Sequence, residues 1–249
     1  MKISVVLPAY NEARRILPSL EQIFAYLDRC EPDFEVLVVD DGSTDDTARV
    51  VRERFATRPE LQVLRYEPNR GKGYAVRFGA RHAQGEWVLF SDADLSTPIA
   101  ELEKMRPYMQ QGYDMVIGSR AHPRAQIVRR QRWFRERAGK LFNVFVRLVV
   151  GLPFHDTQCG FKLFRRDSMQ EVFDLLVVDR FAFDVELLAV ALALGRRVAE
   201  VPVVWVNSPE STVSFWRGVE AYAELWRIRQ RARALRAERA LAAAAPTVH

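Results

Sequence analysis

Short apolar runs that stop abruptly at carboxylates constrain this chain more than any other feature. Val38-Val39 leads into Asp40-Asp41-Gly42-Ser43, and Leu89-Phe90 leads into Ser91-Asp92-Ala93-Asp94. A run of Val, Leu and Phe ended by turn residues reads as a strand buried on both faces, as in a parallel sheet. Ligands of open α/β sheets bind beyond the carboxyl ends of the strands, so acids at two such ends converge on one crevice. Asp92 and Asp94 flank the small Ala93, which lets both carboxylates approach one hard cation. Mg2+ or Mn2+ held by one or two carboxylates and completed by substrate phosphates suits that pair. The plainer role for such acids is helix capping, since Asp41 and Ser43 precede a helix and Asp94 and Ser96 precede Pro98. Two clusters in one sheet favour the site.

Strands and helices alternate through the first half. Residues 3–7, 34–39, 61–66, 87–91 and 115–118 read as strands. Between them, Ile16, Leu20, Ile23, Phe24 and Leu27 share one helical face, and Thr44 or Asp45 caps a helix through Val50, Val51 and Phe55. Helices over 73–83 and 98–109 complete the repeat. This alternation predicts a doubly wound, parallel sheet. The second half is less regular: a short extended piece over 160–164, helices over 169–175 and 183–194, and one strand over 198–206. A last helix from about 214 to 240 places Trp216, Val219, Ala223 and Trp226 at helical offsets.

The 249 residues suffice for one sizeable domain with a small appendage. We divide the chain into a domain over 1–213 and an amphipathic helix with an Ala-rich tail over 214–249. Within the domain, residues 1–120 form the regularly alternating half and 121–213 the less regular half. Cys30 and Cys159 match no zinc or CxxC spacing and read as free thiols of a reducing compartment. The apolar start, residues 3–8, is too short for a signal peptide and reads as strand one. No stretch approaches the roughly 20 apolar residues that span a bilayer.

The positive charge is local. Between Arg120 and Lys140 stand eight basic residues against Glu136 alone, and Leu141, Phe142, Val144, Phe145, Val146, Leu148 and Val149 come directly after. Arginines beside an apolar helical face over 120–154 form the pattern of an interfacial helix on an anionic membrane. Burial of Phe142 and Phe145 in the core is the competing account. Nucleic acid is disfavoured: Trp133 and Phe134 are the only aromatics inside the run, and a carboxylate-lined crevice repels phosphodiesters.

Strand one ends in Pro8-Ala9-Tyr10-Asn11-Glu12, which is neither the dinucleotide fingerprint nor a Walker motif. Tyr10, Glu12 and Asp40 instead suit a nucleoside, with the ring on a base and the acids on ring N–H and ribose hydroxyls. Asp40 would serve uracil or guanine equally well. Asn69-Arg70-Gly71-Lys72-Gly73 opens a helix, where backbone N–H groups, Arg70 or Lys72 can meet phosphate. Arg120, after Gly118-Ser119, is placed to clamp a diphosphate. Asp156 and Gln158 in Asp156-Thr157-Gln158-Cys159-Gly160-Phe161-Lys162 suit a polar ligand beside the metal. Asp184 and Glu186 lie two apart on a helix and point to different faces, so one at most faces a site, and Asp184 is the choice.

Taken in order, Pro8-to-Glu12, Val39-to-Ser43, Asn69-to-Gly73 and Asp92-Ala93-Asp94 resemble the inverting family-2 glycosyltransferases of the GT-A nucleotide-sugar fold. The resemblance runs from residue 3 to about residue 215. Asp92-to-Pro98, Asp156-to-Lys162 and Arg180-to-Glu186 further resemble dolichyl-phosphate β-glucosyltransferases, with the mannosyltransferases a less close match. The resemblance implies Asp94 as metal ligand with Asp92 at sugar or metal, and Tyr10, Glu12 and Asp40 on the nucleoside with Pro8, Ala9 and Ala93 beside them. It places Arg120 at the diphosphate or the acceptor phosphate. It departs at Ser211-Thr212-Val213, where the group often has a Ser-Lys pair. The expectation is therefore a metal-dependent hexosyltransferase that moves glucose from UDP-glucose to a polyprenyl phosphate. It would work as a peripheral protein on the cytoplasmic face of a membrane. Transfer from GDP-mannose, and transfer to a hydroxyl with Asp184 as base, are the alternatives.

Overall fold

The computed structural model describes residues 2–129, 133–180, 182–206 and 215–244. Strands β1 (Ile3–Ala9), β2 (Phe34–Asp41), β3 (Leu61–Tyr66), β4 (Trp87–Ser91), β5 (Met115–Ser119), β7 (Phe161–Arg165) and β8 (Val198–Pro202) form one seven-stranded sheet in the order β3-β2-β1-β4-β7-β5-β8. A two-stranded sheet pairs β6 (Gln126–Arg129) with β9 (Val204–Val206). Helices α1 (Ile16–Cys30) and α2 (Thr47–Arg54) and a 3₁₀ turn (Ile99–Lys104) cover one face. Helices α3 (Lys72–His82), α5 (Trp133–Val149), α6 (Arg166–Leu175), α7 (Phe183–Ala193) and α8 (Phe215–Ala244) cover the other, and a short α4 (Arg106–Gln110) comes after the 3₁₀ turn.

Two covered faces explain the continuous apolar strands. Val36 and Val38 pack into the α1 layer while Leu37 and Val39 pack into the α3 layer, as the two-residue period of a strand requires. β1 and β2 run parallel in register from Ile3 opposite Phe34 to Ala9 opposite Asp40. The Tyr10 and Asp40 ends therefore leave the sheet side by side.

The sheet is mostly parallel, with one strand reversed. β7 lies antiparallel between β4 and β5. It enters the sheet at the end where β4 and β5 leave it, so the 156–160 segment arrives beside Asp92. The expected single strand over 198–206 also divides at Val203, whose N–H donates to Ser119 O at 3.2 Å and whose carbonyl accepts from Gln126 N at 3.1 Å. The helix expected over 98–109 is a 3₁₀ turn succeeded by α4.

α5 divides its apolar residues between core and surface. Phe142 and Val146 are buried, whereas Leu141, Val144, Phe145 and Leu148 are exposed. Membrane and core therefore do not compete for Phe142 and Phe145 as a pair, because the helix separates them. α8 buries Leu225, Ile228 and Ala232 and exposes Trp226. Arg130, Arg132 and Thr212, with the side chains of Trp133, Phe134, Trp216, Val219 and Ala223, lie outside the described residues. Among the described residues no helix is long and apolar enough to cross a membrane.

Candidate active site

The crevice forms where β1, β2, β4 and β5 end. Two non-glycine residues with positive φ, Asn11 at 56° and Leu95 at 46°, both lie on its rim. Their strain is held by specific bonds. Asn11 Oδ1 accepts from Thr44 N at 2.9 Å and Asn11 N donates to Ser43 Oγ at 2.9 Å, which lashes the β1 turn to the β2 turn. Leu95 N donates to Asp92 O at 3.1 Å, and Ser96 N donates to Asp94 Oδ1 at 3.0 Å, curling the chain around the Asp94 carboxylate.

Asp40 and Asp41 have opposite duties. Asp40, fully buried, accepts from Ser43 N at 2.9 Å and from Arg65 Nη1 at 3.2 Å. Asp41 faces α3 and accepts from Arg70 N at 2.7 Å, Gly71 N at 2.9 Å and Asn69 Nδ2 at 2.8 Å. It thus spends its carboxylate on the Asn69–Gly71 turn, whose Gly71 takes a φ of 103° that only glycine adopts freely. Neither Arg65 nor this scaffolding by Asp41 is legible in the sequence. Tyr10, beyond the end of β1, is 45% exposed. Glu12 is gripped by Arg15 through Nε at 2.8 Å and Nη2 at 2.6 Å. Burial raises the Glu12 carboxyl above its ordinary value; Arg15 opposes this and Asp94 adds to it.

At the end of β4, Asp92 Oδ1 meets Lys72 Nζ at 2.5 Å. Burial pulls the Lys72 ammonium down, but Asp92 and Asp184 outweigh it and leave its pKa raised. Asp92 N donates to Gly160 O at 3.0 Å, and a Cβ at Gly160 would collide with the Asp92 carboxylate. Lys72, the residue expected at a phosphate, lies on the Asp92 carboxylate at the same crevice. Among the described residues no group of three or more His, Cys, Asp or Glu side chains is placed to hold a metal. Two carboxylates are what the site offers. Asp94 spends Oδ1 on Ser96 N, and the hard carboxylate oxygens of Asp92 and Asp94 would suit a hard divalent cation.

Arg120 leaves β5 and turns its planar fork onto Asp156. Nε donates to Oδ2 at 2.7 Å, Nη2 to Oδ1 at 2.9 Å, and the Arg120 backbone N to Oδ2 at 3.0 Å. Gln158 N adds a fourth bond to Oδ1 at 3.1 Å. Asp156 is buried; burial pushes its carboxyl up, but Arg120 overrides this and holds it down at about 2. The same pairing raises Arg120 despite its burial. Asp156 therefore sits beneath Arg120 with both oxygens engaged, and Gln158 touches the pair through its backbone.

Asp184 is buried, and its partner is a residue that sequence patterns do not single out. Lys162, fully buried on β7, donates to Asp184 and to Cys159 O at 2.6 Å. Burial raises the Asp184 carboxyl, with Lys162 and Lys72 opposing. A lone lysine inside an apolar strand was the available signal. Glu186, expected on a different face from Asp184, does face another way, yet it too is buried.

Residues 4–173 match Glycosyl transferase family 2. The chain belongs to that family. It is 39% identical over 210 residues to the dolichyl-phosphate beta-glucosyltransferase ALG5C of Trichomonas vaginalis, covering 80% of this chain and 62% of that protein. It is 35% identical over 246 residues to the dolichyl-phosphate beta-glucosyltransferase of Mus musculus, covering 92% of this chain and 75% of that protein. The chain therefore spans less than two thirds of the Trichomonas relative's length. A mannosyltransferase from Pyrobaculum calidifontis, solved in complex with GDP-Man and Mn2+, superposes with a TM-score of 0.59 at 23% identity, covering 98% of this chain and 76% of that one. The fold is the GT-A architecture that the ordered motifs implied.

Proposed function

We propose that this family-2 enzyme transfers glucose from UDP-glucose to a polyprenyl phosphate at a membrane surface. The observation that carries the reading is its likeness, over most of its length, to proteins named dolichyl-phosphate beta-glucosyltransferase. The strand-end acids give that reading its chemistry. Tyr10 stacks on the base, Asp40 uses its remaining lone pairs on a ring N–H, and Glu12 takes the ribose. Pro8, Ala9 and Ala93 form the walls close to these groups. Asp92 and Asp94 are the residues to hold Mg2+ or Mn2+, which when bound supplies Lewis-acid neutralisation of the departing diphosphate. Lys72 and Arg120 add fixed positive charge beside it.

A phosphate monoester acceptor, with a second pKa of about 6, is already largely anionic near neutrality. No strong base is then required, which agrees with an Asp184 carboxylate committed to Lys162. Arg120, braced by Asp156 and Gln158, meets the acceptor phosphate. The exposed Leu141, Val144, Phe145 and Leu148 of α5, with Arg137 and Arg147 exposed on the same helix, lie against the bilayer. The two free thiols favour its cytoplasmic face.

Release of nucleoside diphosphate across a panel of nucleotide sugars, with polyprenyl phosphate present, tests this. UDP-glucose should give the highest turnover, Asp94→Asn and chelation should each nearly abolish it, and added Mg2+ or Mn2+ should rescue the chelated wild type. Faster turnover with GDP-mannose moves the reading to a mannosyltransferase, and turnover only on hydroxyl acceptors returns Asp184 to the role of base.

A further inference from the structure

Between the 177–180 turn and α8 lies a cavity of about 450 Å³ that no step of the proposed transfer uses. That size falls within the ~300–1,000 Å³ typical of small-ligand sites. Arg180, Arg227 and Arg231 line it, with Glu186, Val178 and Ile228. Asp179 and Glu224 also line it and offset part of the positive charge, Asp179 being already matched by Arg77 at 2.6 Å and Arg70 at 3.6 Å.

Glu186 is the unusual member. It is 1% exposed, and its Oε2 accepts from Val177 N at 3.0 Å and Val178 N at 2.8 Å. Its Oε1 has no hydrogen-bond partner among the described residues. Arg231 Nη1 stands 3.7 Å away, near enough for attraction and too far for a hydrogen bond. A buried carboxylate oxygen left unbonded is costly, so the site favours a ligand that supplies a donor. Burial raises the Glu186 carboxyl, with the two backbone donors and Arg231 opposing.

We propose that this cavity binds a phosphate ester that also carries an O–H or N–H donor. The phosphate oxygens take the guanidinium groups of Arg180, Arg227 and Arg231, whose planar donors suit them. The ester's own hydroxyl or ammonium donates to Glu186 Oε1. A soluble ester and a phospholipid headgroup share that chemistry. The same turn also touches the start of α3, because Asp179 O accepts from Tyr74 N at 3.2 Å.

Calorimetry on the full chain with glycerol 3-phosphate, O-phosphoethanolamine and inorganic phosphate tests the site. Both esters should bind more tightly than inorganic phosphate. The double variant Arg227→Ala/Arg231→Ala should lose at least about tenfold in ester affinity, the equivalent of one charge-assisted hydrogen bond. Glu186→Gln keeps an acceptor for Val177 and Val178 and puts an amide N–H₂ where Oε1 was, so it should erase the preference for esters. Asp92→Asn/Asp94→Asn should leave all three affinities unchanged, which separates this cavity from the strand-end crevice whatever the enzyme transfers. A second arm compares vesicles of phosphatidylcholine with and without phosphatidylethanolamine. Arginine-dependent binding that needs phosphatidylethanolamine identifies a headgroup, and ester binding without it identifies a soluble ligand. Wild-type affinity in the arginine variant, an ester preference that survives Glu186→Gln, or no binding of any probe or vesicle overturns the proposal.

Discussion

Replacing Asp156 by Asn separates charge from shape at the most heavily bonded acid of the site. The amide can still accept from Gln158 N, but its N–H₂ group then faces Arg120 N and Nε, two donors it cannot satisfy. The lowered carboxyl sets a minimum for the cost. A fall from 3.8 to about 2 in the folded protein corresponds to roughly 2 kcal/mol of stability near neutral pH. Breaking a fully buried pair costs roughly 3–5 kcal/mol. The Arg120 side chain is 30% exposed and can recover some hydration, so the expected loss is about 2–3 kcal/mol. For a chain of this size that is a fall in Tm of roughly 5–10 °C. The sign of the shift sets the pH dependence. A depressed carboxyl stabilises the fold above its unfolded pKa and loses that contribution as pH falls through its folded value. The gap between wild type and variant should therefore hold from pH 7 to about 5, halve by about pH 3 and close towards pH 2. Urea unfolding at a series of pH values measures it. A difference below about 0.5 kcal/mol at pH 7, or one that stays constant down to pH 3, would refute the assignment of Arg120 as the source of the shift.

Other perturbations address other parts of the site. Gly160→Ala should leave the global fold in place and displace the Asp92 carboxylate, lowering Mn2+ affinity as read by electron paramagnetic resonance; unchanged Mn2+ binding counts against Asp92 as a ligand. Lys162→Met should cost roughly 3–5 kcal/mol by stranding the Asp184 carboxylate. Because burial already raises that carboxyl, the penalty should shrink as pH falls and Asp184 takes up a proton. A pH-independent penalty would point to lost packing instead. Leu141→Glu/Leu148→Glu should abolish cosedimentation with anionic liposomes at low salt without changing Tm, since both side chains are exposed. Retained liposome binding removes α5 from the membrane contact.

The sequence made the acids at strand ends legible because the chemistry and the fold signal coincide there: Val38-Val39 and Leu89-Phe90 mark strands, and acids stand at the carboxyl ends of both. It was silent where a residue's meaning depends on a distant partner. Arg120 looks alike whether it faces a diphosphate or Asp156, which lies 36 positions on. The five residues of β7 carry no mark of direction, because an apolar strand buried between neighbours has the same pattern read either way. Lys162 stood out as a lone lysine in an apolar strand, but its partner Asp184 lies 22 positions on. Spacing along a helix separated Asp184 from Glu186 correctly. It could not foresee that the 177–178 turn and α8 would cover the second face and bury both acids.

Asp40 and Asp41 are chemically identical neighbours, yet one bonds Ser43 and Arg65 and the other the Asn69–Gly71 turn. Only the pleat tells them apart. The division of labour is thus written in the alignment of β2 against β1, and a slip of one residue would exchange the two. The acid now bracing the Asn69–Gly71 turn would point into the crevice, and the acid now in the crevice would point at α3. For this strand pair, hydrogen-bond register decides which acid faces which layer. Variants that loosen β2, even far from its carboxyl end, should degrade donor recognition before they unfold the protein.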